Sequence, residues 1–219
     1  RKCIVGVNIG KNKDVPNEDA VENYVACFEL MHPVADYIAV NVSSPNTPNL
    51  RDLQRAESLE PLLAALTEKN IERGRKPLLV KIAPDLSDTD IEATVDVCLR
   101  FGIDGMIATN TTVSREGLRT DVSSFGDGGL SGRPLFGRSN DVIKTIYRYS
   151  KGKLPVIGVG GVFSAEDAFA KLAAGASLVQ AYTGFVYGGP TFAADVNRGL
   201  ARILDERGFK AASDAVGSA

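Results

Sequence analysis

The sequence predicts an α/β fold built on a parallel sheet, and three observations carry that prediction. Short apolar runs alternate with longer amphipathic stretches along all 219 residues. The short runs are apolar throughout rather than alternating, as strands covered by helices are. Glycines close the longer stretches, where helices stop. A repeating strand–helix unit either closes into a barrel or spreads into an open doubly wound sheet. No G-x-G-x-x-G follows the first apolar run, and polar clusters stand after every run. An open sheet gathers its ligand groups at one switch point, whereas a barrel uses its rim all the way round. The predicted architecture is a (β/α)8 TIM barrel.

The strands are expected at about 3–8, 37–42, 78–83, 104–109, 155–159 and 177–182. Between the first four, VPNEDAVENYVACFELMH, SLEPLLAALTEKNIERG and SDTDIEATVDVCLRFG carry apolar residues at helical spacing. Ser87 and Ser164 each precede an acid three positions on, Asp90 and Asp167, the pattern of a capping box with Asp in place of Glu. Gly74, Gly102, Gly175 and Gly208 mark helix ends. Six strands cannot close an eight-stranded barrel. The expectation is therefore one partial barrel domain over residues 1–219, lacking the first two strand–helix units of a longer chain. The long irregular stretch from Val113 to Arg138 is read as a lid over the rim.

Composition excludes several functions. A formal net charge of −2, with 25 Lys+Arg against 27 Asp+Glu, offers no basic surplus for nucleic acid. Cys3, Cys27 and Cys98 have no metal-ligand spacing and are expected as buried free thiols. His32 is the only histidine, and its place beside Pro33 at a helix end suggests a capping or surface role. A Ser-His-Asp triad or a histidine-rich metal site has little to build on. No apolar run approaches the roughly 20 residues of a membrane span, and the chain is read as soluble.

The rim carries the chemistry. Asn8 is expected at the end of the first strand. The second ends in NVSSPNTPNLRDLQ, a proline-stiffened cluster holding Asn41, Ser43, Ser44, Asn46 and Thr47. The third, LLVKIAPDL, contains Lys81 on the face of Leu79, where a lysine needs an anion or strong acceptors. No strand offers an acid at that depth, so Lys81 reads as a ligand contact or a Schiff-base lysine. Thr109, Asn110, Thr111 and Thr112 follow the fourth strand and suit amide and carbonyl edges better than metals. Gly158, Gly160 and Gly161 end the fifth, and Tyr182, Thr183 and Gly184 the last. Loops after the final two strands of such barrels often bind phosphate, so a phosphorylated ligand is expected.

Taken together, GVNIGKNK, NVSSPNTPNLRDLQ, LLVKIAPDL, ATNTTVSR, GGLSGRPL, GVGG and LVQAYTGF resemble the second, quinone-linked class of dihydroorotate dehydrogenases, in order and along essentially the whole chain. The resemblance implies FMN-dependent oxidation of dihydroorotate to orotate in pyrimidine (UMP) synthesis, with electrons passed to a quinone. It implies that Ser44, where the first class has Cys, is the base that takes a proton from C5 while hydride leaves C6 for the flavin. Asn41, Asn46, Asn110 and Thr111 would hold orotate. Asn8, Asn41, Lys81 and Thr109 would contact the flavin ring. Gly132, Gly160, Gly161, Tyr182 and Thr183 would take the ribityl chain and phosphate.

The resemblance also implies a peripheral place on the cytoplasmic face of a bacterial inner membrane, or on the mitochondrial inner membrane in a eukaryote. TPNLRDLQ and ILDERGFKAASDAVGSA look more bacterial than animal. The family's glycine-rich flavin loop, substrate lysine and quinone-tunnel helices have no counterpart in this sequence. Rival readings are a Schiff-base aldolase or isomerase using Lys81, a tRNA dihydrouridine synthase, and an inactive fragment or interaction module.

Overall fold

Sequential parallel pairing decides between the two sheets that repeated strand–helix units allow. The structure, a computed structural model, describes residues 3–219 except 123 and 125. Its strands are β1 (Gly6–Ile9), β2 (Tyr37–Asn41), β3 (Leu78–Ile82), β4 (Gly105–Ala108), β5 (Val156–Val159) and β6 (Leu178–Gln180). They pair in the order β1-β2-β3-β4-β5-β6, every pair parallel. A doubly wound sheet would reverse that order at its switch point. The sheet also curls: the Gln180 amide on β6 reaches the Tyr37 hydroxyl on β2 at 3.4 Å, 143 residues away. Among the described residues β1 and β6 each pair with one strand only.

Helices α1 (Ala20–Met31), α2 (Ala56–Glu72), α3 (Asp88–Arg100), α4 (Phe136–Ser150) and α5 (Ala165–Ala174) follow the first five strands. After β6 come the short α6 (Thr183–Gly188) and α7 (Phe192–Glu206). The outer face of the sheet supplies Ile38, Val40, Val80, Ile82, Met106 and Val156 to the main core, against Phe28, Leu63, Leu66, Val95 and Ile146 of the helices. Each such aliphatic side chain contributes about 1.5–3 kcal/mol when fully buried. The inner face builds a smaller cluster from Ala39, Leu79, Ile107 and Ile157. Gly6 is glycine because a Cβ there would fall 2.0 Å from the Tyr37 ring.

Several expectations shift. The first strand begins at Gly6, because its register with β2 starts at Gly6 and Tyr37. Cys3 therefore precedes the strand and is exposed, while Cys27 is half-buried and only Cys98 is fully buried. Burial pushes the Cys98 thiol up to about 12. Of the two roles expected for His32, the capping one holds, since it is the C-cap of α1, but it is buried: it packs on Phe28 at 5.2 Å, with Nε2 3.1 Å from the Gly74 carbonyl.

The Ser164 box is complete, with Asp167 bonded back to the Ser164 amide at 3.1 Å. At Ser87 only the forward half forms, because its hydroxyl meets the Asp90 carboxylate at 2.6 Å. The expected insertion from Val113 to Arg138 is shorter, since α4 starts at Phe136 and a bridge between Thr112 and Leu130 ties its stem. Ser123 and Phe125, within it, lie outside the described residues.

Candidate functional site

Two neighbouring constructions make up the rim: a cavity walled largely by backbone, and a loop network made of side chains. The cavity has a volume of about 520 Å³ and opens over the C-terminal ends of β3 to β6. Lys81 forms part of its wall, projecting from β3 on the same face as the inner-cluster Leu79. Burial pulls the Lys81 ammonium below its ordinary pKa, and no acid pairs with it among the described residues. Thr109 is 1% exposed and its Oγ1 has no hydrogen-bond partner among the described residues. A buried hydroxyl left unpaired costs about 1–3 kcal/mol, so a site that keeps one is arranged for something to meet it. Asn110 and Thr111 continue the same wall.

The far end of the cavity is glycine-built. Gly161 has φ +72°, and a Cβ there would lie 2.5–2.9 Å from Phe136. Gly160 has φ +124° and packs against Leu135 and Ser139. Both conformations favour glycine. Gly132, with φ +87°, brings the loop after β4 against Thr183. Ser131 and Thr183 then join hydroxyls at 2.9 Å. Arg133 locks this loop to α5 through both oxygens of Asp167, at 2.8 Å each, with its guanidinium 4.5 Å over Phe163. Tyr182 also lines the cavity, its side chain largely exposed.

The serine loop lies beside it. The Asn41 side-chain oxygen accepts from the Ser43 hydroxyl at 2.9 Å and from the Asn110 amide at 3.2 Å. The Asn110 side-chain amide also donates to Ser43 Oγ at 3.0 Å, and Asn110 Oδ1 accepts from the Thr111 N–H at 2.8 Å. The Tyr24 hydroxyl fixes the Asn41 carbonyl from below at 2.7 Å. Ser44 is half-buried and its Oγ accepts from the Asn46 N–H at 3.3 Å. The one histidine sits at the other end of the fold, so no imidazole serves this serine.

Comparison with known proteins meets this geometry. A family model for dihydroorotate dehydrogenase matches residues 1–204. The chain belongs to that family. Relatives named dihydroorotate dehydrogenase (quinone) include one from Anaeromyxobacter dehalogenans (strain 2CP-1 / ATCC BAA-258), 53% identical over 215 residues, covering 98% of this chain and 59% of the relative. Another, from Thermobifida fusca (strain YX), is 52% identical over 222 residues, covering 99% and 59%. A crystal structure of DHODH in complex with ferulenol from Eimeria tenella superposes with a TM-score of 0.91 at 38% identity, covering 100% of this chain and 62% of that one. The chain thus spans about three-fifths of the length of the dihydroorotate dehydrogenases it matches.

Of the residues expected from sequence, Lys81, Thr109, Asn110, Thr111, Gly132, Gly160, Gly161, Tyr182 and Thr183 meet on one cavity. Asn41 is joined to it through Asn110, and Ser44 and Asn46 follow on the same loop. Asn8 stands apart: it lies within β1, opposite Ala39 and exposed, one residue short of the strand end where it was expected. Sequence reasoning missed Arg51, Asp85, Ser131, Arg133 and Gln180. Each has a partner at least 34 residues away, which no local pattern reveals. Among the described residues no three His, Cys, Asp or Glu side chains group as metal ligands, and no helix is long and apolar enough to cross a membrane.

Proposed function

We propose that this chain carries the FMN and dihydroorotate sites of a quinone-linked dihydroorotate dehydrogenase, which oxidises dihydroorotate to orotate in pyrimidine synthesis. One observation supports this most: a cavity joins a half-buried lysine, with no acid partner among the described residues, and a buried, unpartnered threonine hydroxyl to a glycine-built end. These features suit a flat ring with amide edges that ends in a phosphate. FMN would supply the two-electron acceptor there. Lys81 and Thr109 would meet the ring, with Asn8 and Asn41 toward its edge. Gly132, Gly160, Gly161, Tyr182 and Thr183 would receive the ribityl chain and phosphate. An anion held near Lys81 would restore the charge that burial now disfavours.

Asn41, Asn46, Asn110 and Thr111 would orient the substrate, Asn110 serving as the hinge of the network. Ser44 would take the C5 proton, and the Asn46 N–H donated to its Oγ favours the deprotonated form. With no imidazole nearby, the proton would leave through water. Passing electrons to a quinone, and the peripheral membrane contact that goes with it, belong to the same proposal. The test is the visible spectrum of the desalted chain after incubation with FMN, followed by anaerobic dihydroorotate. Retained flavin bands that bleach are expected. A protein that retains no flavin, or retained bands that stay unchanged, would overturn the reading for this chain.

A further inference from the structure

Arg51 and Asp85 stand outside the residues assigned to substrate or flavin, yet they tie three rim loops together. Arg51 projects from the short 3-10 turn Leu50–Gln54 that follows the serine loop. Its Nε donates to the Ser43 carbonyl at 3.2 Å, its Nη2 to the Thr111 carbonyl at 2.9 Å, and its Nη1 to Asp85 at 2.8 Å. Asp85, from the loop after β3, accepts in turn from the Thr112 hydroxyl and from the Val113 N–H at 3.2 Å. One guanidinium therefore holds the peptide preceding Ser44 and the peptide following Thr111, and one carboxylate fixes both the guanidinium and the next residues of the second loop. The loops also touch directly at Gly129, where a Cβ would lie 1.9 Å from Thr111 Oγ1 and 2.9 Å from Pro45.

We infer that Arg51, backed by Asp85, is a positioning residue that sets the distance between the Ser44 loop and the Asn110–Thr111 loop. Proton removal by Ser44 requires the substrate ring to be held by one loop and presented to the other. A misplacement of about 1 Å costs on the order of 100-fold in such a step. The guanidinium suits this task because it is planar and directs several N–H groups at fixed angles. A lysine ammonium is a point charge and cannot span two carbonyls and a carboxylate in that fashion. Both side chains are about three-quarters buried, which protects the pair from full solvent screening.

The inference rests on the proposed function for its catalytic consequence, but the clamp itself can be tested without flavin. Hydrogen–deuterium exchange on the chain should show amides at 43–47 and at 110–113 exchanging about tenfold faster or more in Arg51→Lys and in Asp85→Asn, with β5 and α5 unchanged. Acceleration at only one loop, or at neither, would overturn the clamp. In flavin-loaded protein, Arg51→Lys should keep its flavin content and lower the rate of flavin reduction at saturating dihydroorotate by about tenfold or more. A merely structural role would instead lower flavin content or melting temperature while leaving the rate per bound flavin unchanged. If the wild type retains no flavin, the functional proposal fails, and the exchange experiment still decides the clamp.

Discussion

On the proposed function, the serine loop and the glycine end of the cavity would solve the same problem, holding a ligand at the rim, by opposite means. The serine loop works with side chains: Asn41, Ser43 and Asn110 satisfy one another and leave Ser44 at the edge of the network. The glycine end works by leaving side chains out, at Gly132, Gly160 and Gly161, so that backbone can come close. The first should therefore be sensitive above all to changes of hydrogen-bonding chemistry. The second has little chemistry to lose and no room to spare. Each is also backed differently, the loop by the Arg51–Asp85 ion pair and the glycine end by the buried Lys171.

The largest expected effect breaks the side-chain half. Ser44→Ala should leave flavin bound while its reduction by dihydroorotate falls by about 10²–10⁴, the span general-base groups contribute. Stopped-flow absorbance measures it, and a rate near wild type would remove Ser44 as the base. The backbone half should respond to volume instead. Gly161→Ala places a Cβ within 2.9 Å of Phe136 backbone at φ +72°. It should cost about 1–3 kcal/mol of stability and weaken FMN binding. Gly128→Ala, where a Cβ would meet nothing within 4 Å, is the matched control and should stay within about 0.5 kcal/mol. Urea denaturation with fluorescence titration of FMN separates the two variants.

The smallest effect concerns what backs the glycine end. Lys171 is fully buried, and its ammonium meets Ser139 at 3.0 Å and Asn140 at 2.7 Å. Ser139 in turn donates to the Val159 carbonyl at 2.5 Å, at the end of β5. Burial drives the Lys171 pKa down from 10.5 to about 7, against the opposing charge of Asp167. Between those values the unfolded chain binds the proton that the folded chain releases, so stability should rise with pH across that window. It should level off below about 7. The expected slope is about 1 kcal/mol per pH unit. Urea midpoints at pH 7, 8 and 9 should show it, and Lys171→Met should remove it. An unchanged slope in that variant would mean that another group titrates.

Much of this site was legible because its residue types are unusual where they stand. A lysine in an apolar strand and a run of Asn, Ser and Thr between prolines announce themselves at Lys81 and in the serine loop. Asn8 shows the limit, since a strand boundary misplaced by a residue or two moves a side chain from the rim into the strand. His32 shows another: it was read as a capping or surface residue, and it does cap α1, but the end of α2 closes over it. Its exposure depended on a neighbour 42 residues away.

By itself the sequence determined the repeating strand–helix order, the parallel sheet and the polar character of the rim. Those follow from periodicity and residue chemistry within a few neighbouring positions. Only the tertiary structure decided which rim residues meet. Asn41 and Asn110 are 69 residues apart, and Arg51 and Thr111 are 60 apart. Their contact exists because the sheet curls, bringing successive strand ends toward one another at angles set by accumulated twist rather than by any local pattern. The same curl turns Gly132 and Gly161 from helix-flanking glycines into two sides of one cavity.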